Sequence, residues 1–188
     1  AGSALSAGSS AGYAMLVTNA AAGIAAVTWI MVETLHKGKA SVHGAISGVV
    51  AGLVAITPAA GFVDFAGSLI MGVISGAVCY VAVSYLKEWL NYDDALDVFG
   101  LHGVGGIVGA VLVGVFANPE IGGAAGTLYG SDTQLWAQII SIVVVAVYSA
   151  AVTAVLLLIL RYTIGLRVQP REEYEGLDMS LHGQKLEV

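Results

Sequence analysis

The stretch Val98–Ala117, VFGLHGVGGIVGAVLVGVFA, decides the fold class of this chain. It contains no Asp, Glu, Lys or Arg. A helix needs about 20 predominantly apolar residues to cross the hydrocarbon core of a bilayer, and this stretch has that length. We therefore expect it to form a transmembrane helix.

The composition of the whole chain supports this prediction. Of its 188 residues, 57% are hydrophobic and only 11% are charged, whereas a soluble domain carries about 25% charged residues. This balance excludes a disordered chain, a protein that binds nucleic acid through a basic surface, and an ordinary cytosolic enzyme. The single cysteine, Cys79, excludes an internal disulfide framework and a cysteine-based zinc site. The sequence predicts an all-α, polytopic helical membrane protein, and its spacings indicate neither a metal site nor a cofactor site.

Five apolar stretches predict five transmembrane helices. They run from about Ala11 to Leu35, Val42 to Pro58, Phe65 to Leu86, Val98 to Ala117, and Leu135 to Leu160. The second stretch is marginal, because about 17 residues is the lower limit for a spanning helix. We expect two regions: a transmembrane region, residues 1–164, and a polar tail, residues 165–188. The opening residues do not resemble a signal peptide, so we expect the chain to be part of a longer protein.

The positive charges predict the orientation of the spans. With five spans, all Lys and Arg residues fall on one side of the membrane: Lys37, Lys39, Lys87, Arg161, Arg167, Arg171 and Lys185. The opposite loops carry only the acidic residues Asp64, Glu120 and Asp132. The positive-inside rule therefore predicts a multi-pass protein whose first residue lies outside and whose tail lies in the cytoplasm.

His102 is an ionisable residue inside the otherwise uncharged fourth span. Such a side chain is costly in a membrane and by default marks a transport pathway. Imidazole suits a site that handles a proton or a small polar solute. The alternative is a packing histidine that bonds a neighbouring carbonyl. We expect His36 and His43, which flank the first cytoplasmic loop, to be solvated.

Glycines four residues apart lie on single helical stripes, as in Gly44, Gly48 and Gly52, Gly72 and Gly76, and Gly105 and Gly109. Such stripes favour close packing of membrane helices. The alternative is that some of these glycines keep a conduit open.

Three acidic residues, Asp93, Asp94 and Asp97, precede the fourth span. Carboxylates there stabilise a helix N-terminus by capping and through the macrodipole, and the alternative is attraction of a cation. Thr57 precedes Pro58 at the end of the second span, where its hydroxyl can bind a carbonyl freed near the proline.

Three motifs of this sequence resemble the ammonium transporter (Amt/Mep/Rh) family. Residues Ser47–Gly61, SGVVAGLVAITPAAG, resemble its central signature, and Asp97–Gly106, DVFGLHGVGG, resemble its histidine-bearing pore helix. The tail carries GLRV at 165–168 and EGLD at 175–178, which resemble the Amt branch rather than the Rh branch. The opening Ala1–Ala4 is similar to the segment after the sixth span of that family.

The resemblance implies an eleven-helix fold built from two inverted five-helix halves and a final long helix. This chain would supply spans seven to eleven and the tail, which is one half of the inverted repeat. The implied partners are the N-terminal half of the same transporter, further copies in a homotrimer, and a PII-type regulatory protein at the cytoplasmic face.

The resemblance also implies roles for single residues. Ser3 would accept a hydrogen bond from ammonium at the outer recruitment site, and His102 would be the second histidine of a twin-histidine pore. Val98 would narrow the apolar lumen, Thr57 would lie near its outer end, and Gly176 and Asp178 would belong to the regulatory tail.

The implied function is transmembrane transport of ammonium or ammonia, without enzymatic activity and without a cofactor. Recruitment of the cation would be followed by deprotonation and passage through an apolar pore in the cell membrane. An alternative is an ammonium-sensing membrane protein that signals through its tail. A second alternative, a channel for another small neutral solute, is disfavoured by the tail motif.

Overall fold

The computed structural model describes residues 1–184, and all regular structure within them is helical. The predicted all-α class is confirmed. The long helices are α1 (Ser9–Lys37), α2 (Val42–Ile56), α3 (Phe65–Val81), α5 (Val104–Phe116) and α7 (Thr133–Thr163). The short helices are α4 (Lys87–Leu90), α6 (Pro119–Gly122), α8 (Pro170–Glu175) and α9 (Leu177–His182). The last part of the expected tail, including Lys185, lies outside the described residues.

Two π-helical turns interrupt the spans. The first π turn, Ala82–Leu86, follows α3, and the second π turn, Phe99–Gly103, precedes α5. Each π turn continues a span, so that Phe65–Leu90 and Phe99–Phe116 are each long enough to cross a membrane.

Four helical segments of residues 1–184 are long and apolar enough to span a bilayer, one fewer than the five predicted. The second stretch forms α2, which has only 15 residues and is about 22 Å long at a rise of about 1.5 Å per residue. Its helix ends at Ile56 rather than at the expected Pro58, because Pro58 has no backbone N–H to donate to the carbonyl of Val54, which accepts instead from the N–H of Thr57 at 3.2 Å. α2 is therefore a shorter apolar helix of the same bundle.

The chain forms two compact units, the first ending at Ile142 and the second beginning at Val143. In the first unit α1 lies between the glycine stripes of α2 and α3. A Cβ atom placed on Gly52 would lie 2.6 Å from the carbonyl oxygen of Ala21, and one on Gly76 would lie 2.6 Å from that of Ala25. Backbones this close leave no room for a side chain, which confirms the packing interpretation of these stripes.

The glycine contacts also show the helix directions. Gly48 faces Ala26 while Gly52 faces Ala22, so α2 runs antiparallel to α1. Corresponding contacts make α3 parallel to α1, and α5 antiparallel to α3. One end of the first unit, called the acidic end, therefore carries the α2–α3 loop with Asp64. The other end, called the basic end, carries Lys37 and the α1–α2 loop with Lys39.

Two buried clusters fill the first unit toward its two ends. The first consists of Ala21, Ile56, Ala59, Val63, Met71, Val113 and Ala117. The second consists of Trp29, Ala51, Cys79, Tyr80 and Leu101, and so includes the free cysteine. Leu101 belongs to the second cluster and also to the second π turn, so it anchors the turn that carries His102.

In the second unit the tail forms two short helices, α8 and α9. Pro170 is the first residue of α8, and the backbone N–H of Gln169 donates to Glu172 Oε2 at 2.9 Å, which satisfies a donor at the helix N-terminus. Gly176 ends α8 with φ of 88° and ψ of 136°, a conformation that is essentially restricted to glycine. Residues 165–184 are therefore not structureless, since they contain α8 and α9.

Candidate functional site

His102 lies in the second π turn, and its imidazole is exposed. Within residues 1–184 no carbonyl binds the ring, so the alternative of a packing histidine finds no support there. Single π turns inside α-helices occur frequently at functional sites. The structure therefore presents an ionisable side chain on the outside of the described helices, in a span without charge.

Two of the three acidic residues before this turn, Asp94 and Asp97, have structural roles. Asp94 accepts hydrogen bonds from the backbone N–H groups of Val98 (2.9 Å) and Phe99 (2.8 Å), which confirms the predicted capping role. Asp97 pairs with Lys87 at 2.7 Å and has a left-handed φ of 56°. These interactions fix the start of the turn that carries His102.

The two π turns contact each other directly. A Cβ atom on Gly100 would lie 2.7 Å from Cγ2 of Val83. On its other side the second π turn meets Tyr92, whose ring contacts Phe99 edge-to-face at 5.6 Å. The position of His102 thus depends on the first π turn and on the loop before the span.

The other predicted pore residues lie in two separate places. Val98 directly precedes the second π turn, which carries His102, and is half exposed. Thr57 lies toward the opposite end of the bundle, where its hydroxyl donates to the carbonyl of Leu53 at 2.7 Å, the carbonyl interaction expected beside Pro58. Ser3 is exposed in a short 3₁₀ turn, Gly2–Ala4, just before α1.

The predicted tail residues lie in the second unit. Gly176 joins α8 to α9, and Asp178 is in the first turn of α9. The backbone N–H of Gln184 donates to the carbonyl of Asp178 at 2.8 Å. This bond closes the end of α9 within the described residues.

The acidic end of the first unit has a hydrogen-bonded cluster that the sequence analysis missed. Asp64 caps α3 by accepting from Gly67 N at 2.6 Å, and the hydroxyl of Tyr129 donates to its other oxygen at 3.2 Å. Asn118 donates to Tyr129 at 2.9 Å. Loss of solvent around the hydroxyl and the bond to Asp64 raise the pKa of Tyr129 above its usual value. The cluster joins the loop before α3 to the loops after α5.

At the basic end, His36 makes hydrogen bonds that the sequence did not predict. His36 is exposed, but its Nδ1 lies 2.6 Å from the hydroxyl of Tyr80 and its Nε2 lies 2.9 Å from that of Tyr85. No local motif predicts this, because the partners are 44 and 49 residues apart in the chain. His43 is exposed, as expected.

Glu33 is a second missed residue at this end. Its side chain is buried, with 5% of the residue exposed, and it accepts from Ser41 through the backbone N–H (3.1 Å) and the hydroxyl (2.9 Å). Lys37 Nζ lies 3.8 Å from the carboxylate. A buried carboxylate needs such partners. Lys37 also lies 5.9 Å from the centroid of the Tyr80 ring, which places it at the same end as Tyr85 and Lys87.

Comparisons with known proteins agree on one family. The sequence model of the Ammonium Transporter Family matches residues 1–186. The ammonium transporter of Aquifex aeolicus (strain VF5) is 55% identical over 185 residues, covering 98% of this chain and 44% of that protein. A putative ammonium transporter of Methanothermobacter thermautotrophicus is 50% identical over 185 residues, covering 97% of this chain and 46% of that protein.

Solved structures give the same result. The crystal structure of Saccharomyces cerevisiae Mep2 matches with a TM-score of 0.85 and 36% identity, covering 90% of this chain and 40% of that one. A structure described as a sensor Amt protein matches with a TM-score of 0.85 and 27% identity, covering 96% of this chain and 44% of that one. The chain thus spans less than half the length of each of these relatives.

Proposed function

This chain belongs to the ammonium transporter family, and from that membership we propose that the protein to which it contributes transports ammonium or ammonia across the cell membrane. The chain is a multi-pass membrane protein of this family. The observation that carries the proposal is the exposed imidazole of His102 on an uncharged span, in a turn fixed by Asp94 and Gly100.

The physical argument concerns the cost of moving a cation through an apolar path. An ammonium or potassium ion loses its hydration at great cost in a medium of low dielectric constant. Neutral ammonia avoids most of that cost. We therefore propose that ammonium is recruited at the outer end, where the Ser3 hydroxyl accepts from it, and that it gives its proton to a water molecule at that end before passage as ammonia.

His102 serves the next step in this proposal. A neutral imidazole has one nitrogen that accepts and one that donates a hydrogen bond, so it binds ammonia inside the lumen without introducing a fixed charge. Val98, immediately before this turn, narrows the lumen, and Thr57 lies near the outer end of the lumen. No covalent bond other than N–H bonds changes, so the protein is a transporter and not an enzyme.

In this proposal another part of the protein supplies the remaining half of the pore. His102 faces away from the described helices, and its neighbours Val98 and Ile107 expose 50% and 44% of their surfaces. We assign this apolar face to the N-terminal half of the same transporter, packed as an inverted repeat. We further propose that the protein forms a homotrimer, with the first residue of this chain outside and the tail in the cytoplasm. A PII-type regulatory protein binds at the cytoplasmic face, where Gly176 and Asp178 belong to the regulatory segment.

A second candidate function is ammonium sensing, with the tail passing on the signal. The likeness to the sensor Amt protein favours it, since that match covers 96% of this chain. Its 27% identity is lower than the 55% shared with the Aquifex transporter, which favours transport.

The test is uptake of a labelled ammonium analogue by the full-length protein in liposomes, with and without excess potassium. Transport predicts uptake that saturates and that potassium does not inhibit. Binding without uptake supports the sensor instead, and uptake suppressed by potassium contradicts the apolar-pore mechanism.

A further inference from the structure

His36 has no role in the proposed pathway, yet both of its ring nitrogens are engaged. It lies in the last turn of α1, stacked on Tyr85 with ring centroids 5.1 Å apart and edge-to-face with Tyr80 at 5.9 Å. Tyr80 is 1% exposed and in turn meets Trp29 edge-to-face at 5.3 Å. The imidazole therefore connects α1 to a buried tyrosine of α3 and to a second tyrosine in the first π turn.

The hydrogen-bond pattern assigns the protons. The hydroxyl of Tyr80 is buried, and within residues 1–184 its recorded partner is Nδ1 of His36. A buried hydroxyl proton needs an acceptor, so Tyr80 donates and Nδ1 accepts. The ring proton then lies on Nε2, which donates to Tyr85. This is the neutral form of histidine.

The second tyrosine links this site to the pore turn. Tyr85 is part of the first π turn, in which Val83 contacts Gly100 of the second π turn. His102 lies two residues beyond Gly100. A change in the bond between His36 and Tyr85 is thus transmitted through two contacts to the turn that carries His102.

We propose that neutral His36 is a positioning residue for His102, and that its protonation from the Lys37 side of the membrane slows transport. A protonated Nδ1 can no longer accept from Tyr80, whose hydroxyl would face a second donor. The ring then reorients, and the first π turn loses its link to α1. This proposal rests on the proposed function, because it assigns His102 to the pathway.

Charged groups lie on each element near His36. On α1 these are Glu33 and Lys37, which lie 3.8 Å from each other. The facing element contributes Tyr80 and Tyr85, followed by Lys87, which pairs with Asp97. His43, at the start of α2, is exposed. The experiment varies pH within the range from about pH 5 to 8, in which histidines in general change charge.

The experiment measures the initial transport rate of the full-length protein in liposomes, with pH varied only on the Lys37 side of the membrane. The wild-type rate should fall severalfold between about pH 7.5 and about pH 5.5. In His36→Gln, the amide oxygen accepts from Tyr80 and the amide NH₂ donates to Tyr85, without a titratable proton. The rate of this variant should stay within about twofold over the same range. His43→Gln is the matched control and should keep the wild-type profile. Because pH also shifts the ammonium–ammonia balance, the deciding quantity is the ratio of each variant's rate to the wild-type rate at the same pH. This ratio should rise severalfold in acid for His36→Gln and stay constant for His43→Gln.

Two further readouts make the outcome decisive. Tyr80→Phe keeps the ring but removes the donor, so it should show, at all pH values, the reduced rate that the wild type shows in acid. Nitrogen-15 NMR of labelled histidines, with His36 assigned by its loss in His36→Gln, should show the Nε2–H tautomer at neutral pH. An unchanged acid response in His36→Gln, a wild-type profile in Tyr80→Phe, or an Nδ1–H tautomer overturns the proposal. Absence of transport by the wild type instead contradicts the proposed function, and the NMR result still tests the proton assignment.

Discussion

Gly100 and Val83 lie so close that a Cβ atom on Gly100 would be 2.7 Å from Cγ2 of Val83. The two π turns of the bundle meet at this point, 17 residues apart in the chain. The backbone nitrogen of Val83 would also lie only 3.3 Å from that Cβ. The absence of a side chain at Gly100 therefore determines how near the turn with His102 comes to the end of the third span.

Replacing Gly100 by alanine should displace the second π turn and lower transport. Overpacking of this kind costs about 1–3 kcal/mol. Removing the Val83 methyl groups in the double variant Gly100→Ala/Val83→Ala should restore part of the loss. Thermal unfolding and transport by the full-length protein measure both effects. If the two changes are simply additive, the contact does not couple the turns.

Removing the imidazole of His102 should impair conduction and leave assembly intact. Its ring makes no hydrogen bond to residues 1–184, so His102→Ala should not destabilise this half of the bundle. The lumen would lose the hydrogen-bonding group that binds ammonia, and leaving a buried polar group without its partner costs about 1–3 kcal/mol. We therefore expect the transport rate in liposomes to fall by roughly 10-fold or more. Size-exclusion chromatography in detergent checks the assembly. Wild-type rate and selectivity in this variant would exclude His102 from the pathway.

Removing the Asp94 carboxylate should destabilise the start of the fourth span. Two backbone N–H groups, of Val98 and Phe99, would lose their acceptor, and loss of an N-cap costs about 0.5–2 kcal/mol. We expect Asp94→Ala to lower the midpoint of thermal unfolding and the transport rate together. The exposed neighbour Asp93 supplies the control, since Asp93→Ala should change neither. Equal effects of the two variants would point to cation attraction instead of capping.

Adding a side chain to Gly176 should disrupt the tail. Its φ of 88° and ψ of 136° are strained for any other residue by about 1–3 kcal/mol. Gly176→Asp should therefore reduce transport by the full-length protein, although it lies outside the spans. Gly176→Ala tests the strain without the charge. Normal rates in Gly176→Asp and in a chain truncated after Leu166 would both contradict a coupling role for the tail.

The orientation of the chain can be measured by cysteine labelling. A cysteine at the exposed position of Lys39, in a Cys79→Ala background, should be protected from an impermeant reagent added outside intact cells. A cysteine in place of Glu120, exposed at the other end, should react. The reverse pattern would invert the predicted topology.

Much of this structure follows from interactions between near neighbours in the chain. The capping of the fourth span by Asp94 joins residues four and five positions apart. The tail helix begins at Pro170 and ends at Gly176 because both residues restrict their own backbone. Such features can be predicted from a sequence, because their cause lies within a few residues.

Other features required contacts that no local pattern records. The two π turns differ from the predicted uniform spans, and they contact each other through Val83 and Gly100, which are far apart in the chain. Glu33 and His36 gave no sequence signal, since their importance arises from burial and from partners on another element.

The sequence by itself therefore determined the membrane class, the family, the approximate spans and the separation of charges between the two ends. These properties are sums of residue preferences along the chain, and they do not depend on how the helices meet. Only the tertiary structure decided that His36 lies between Tyr80 and Tyr85 and that Val83 packs directly against Gly100. A hydrogen bond or a close contact requires atoms from distant residues to approach within about 3 Å, and the packing of the helices alone provides that geometry.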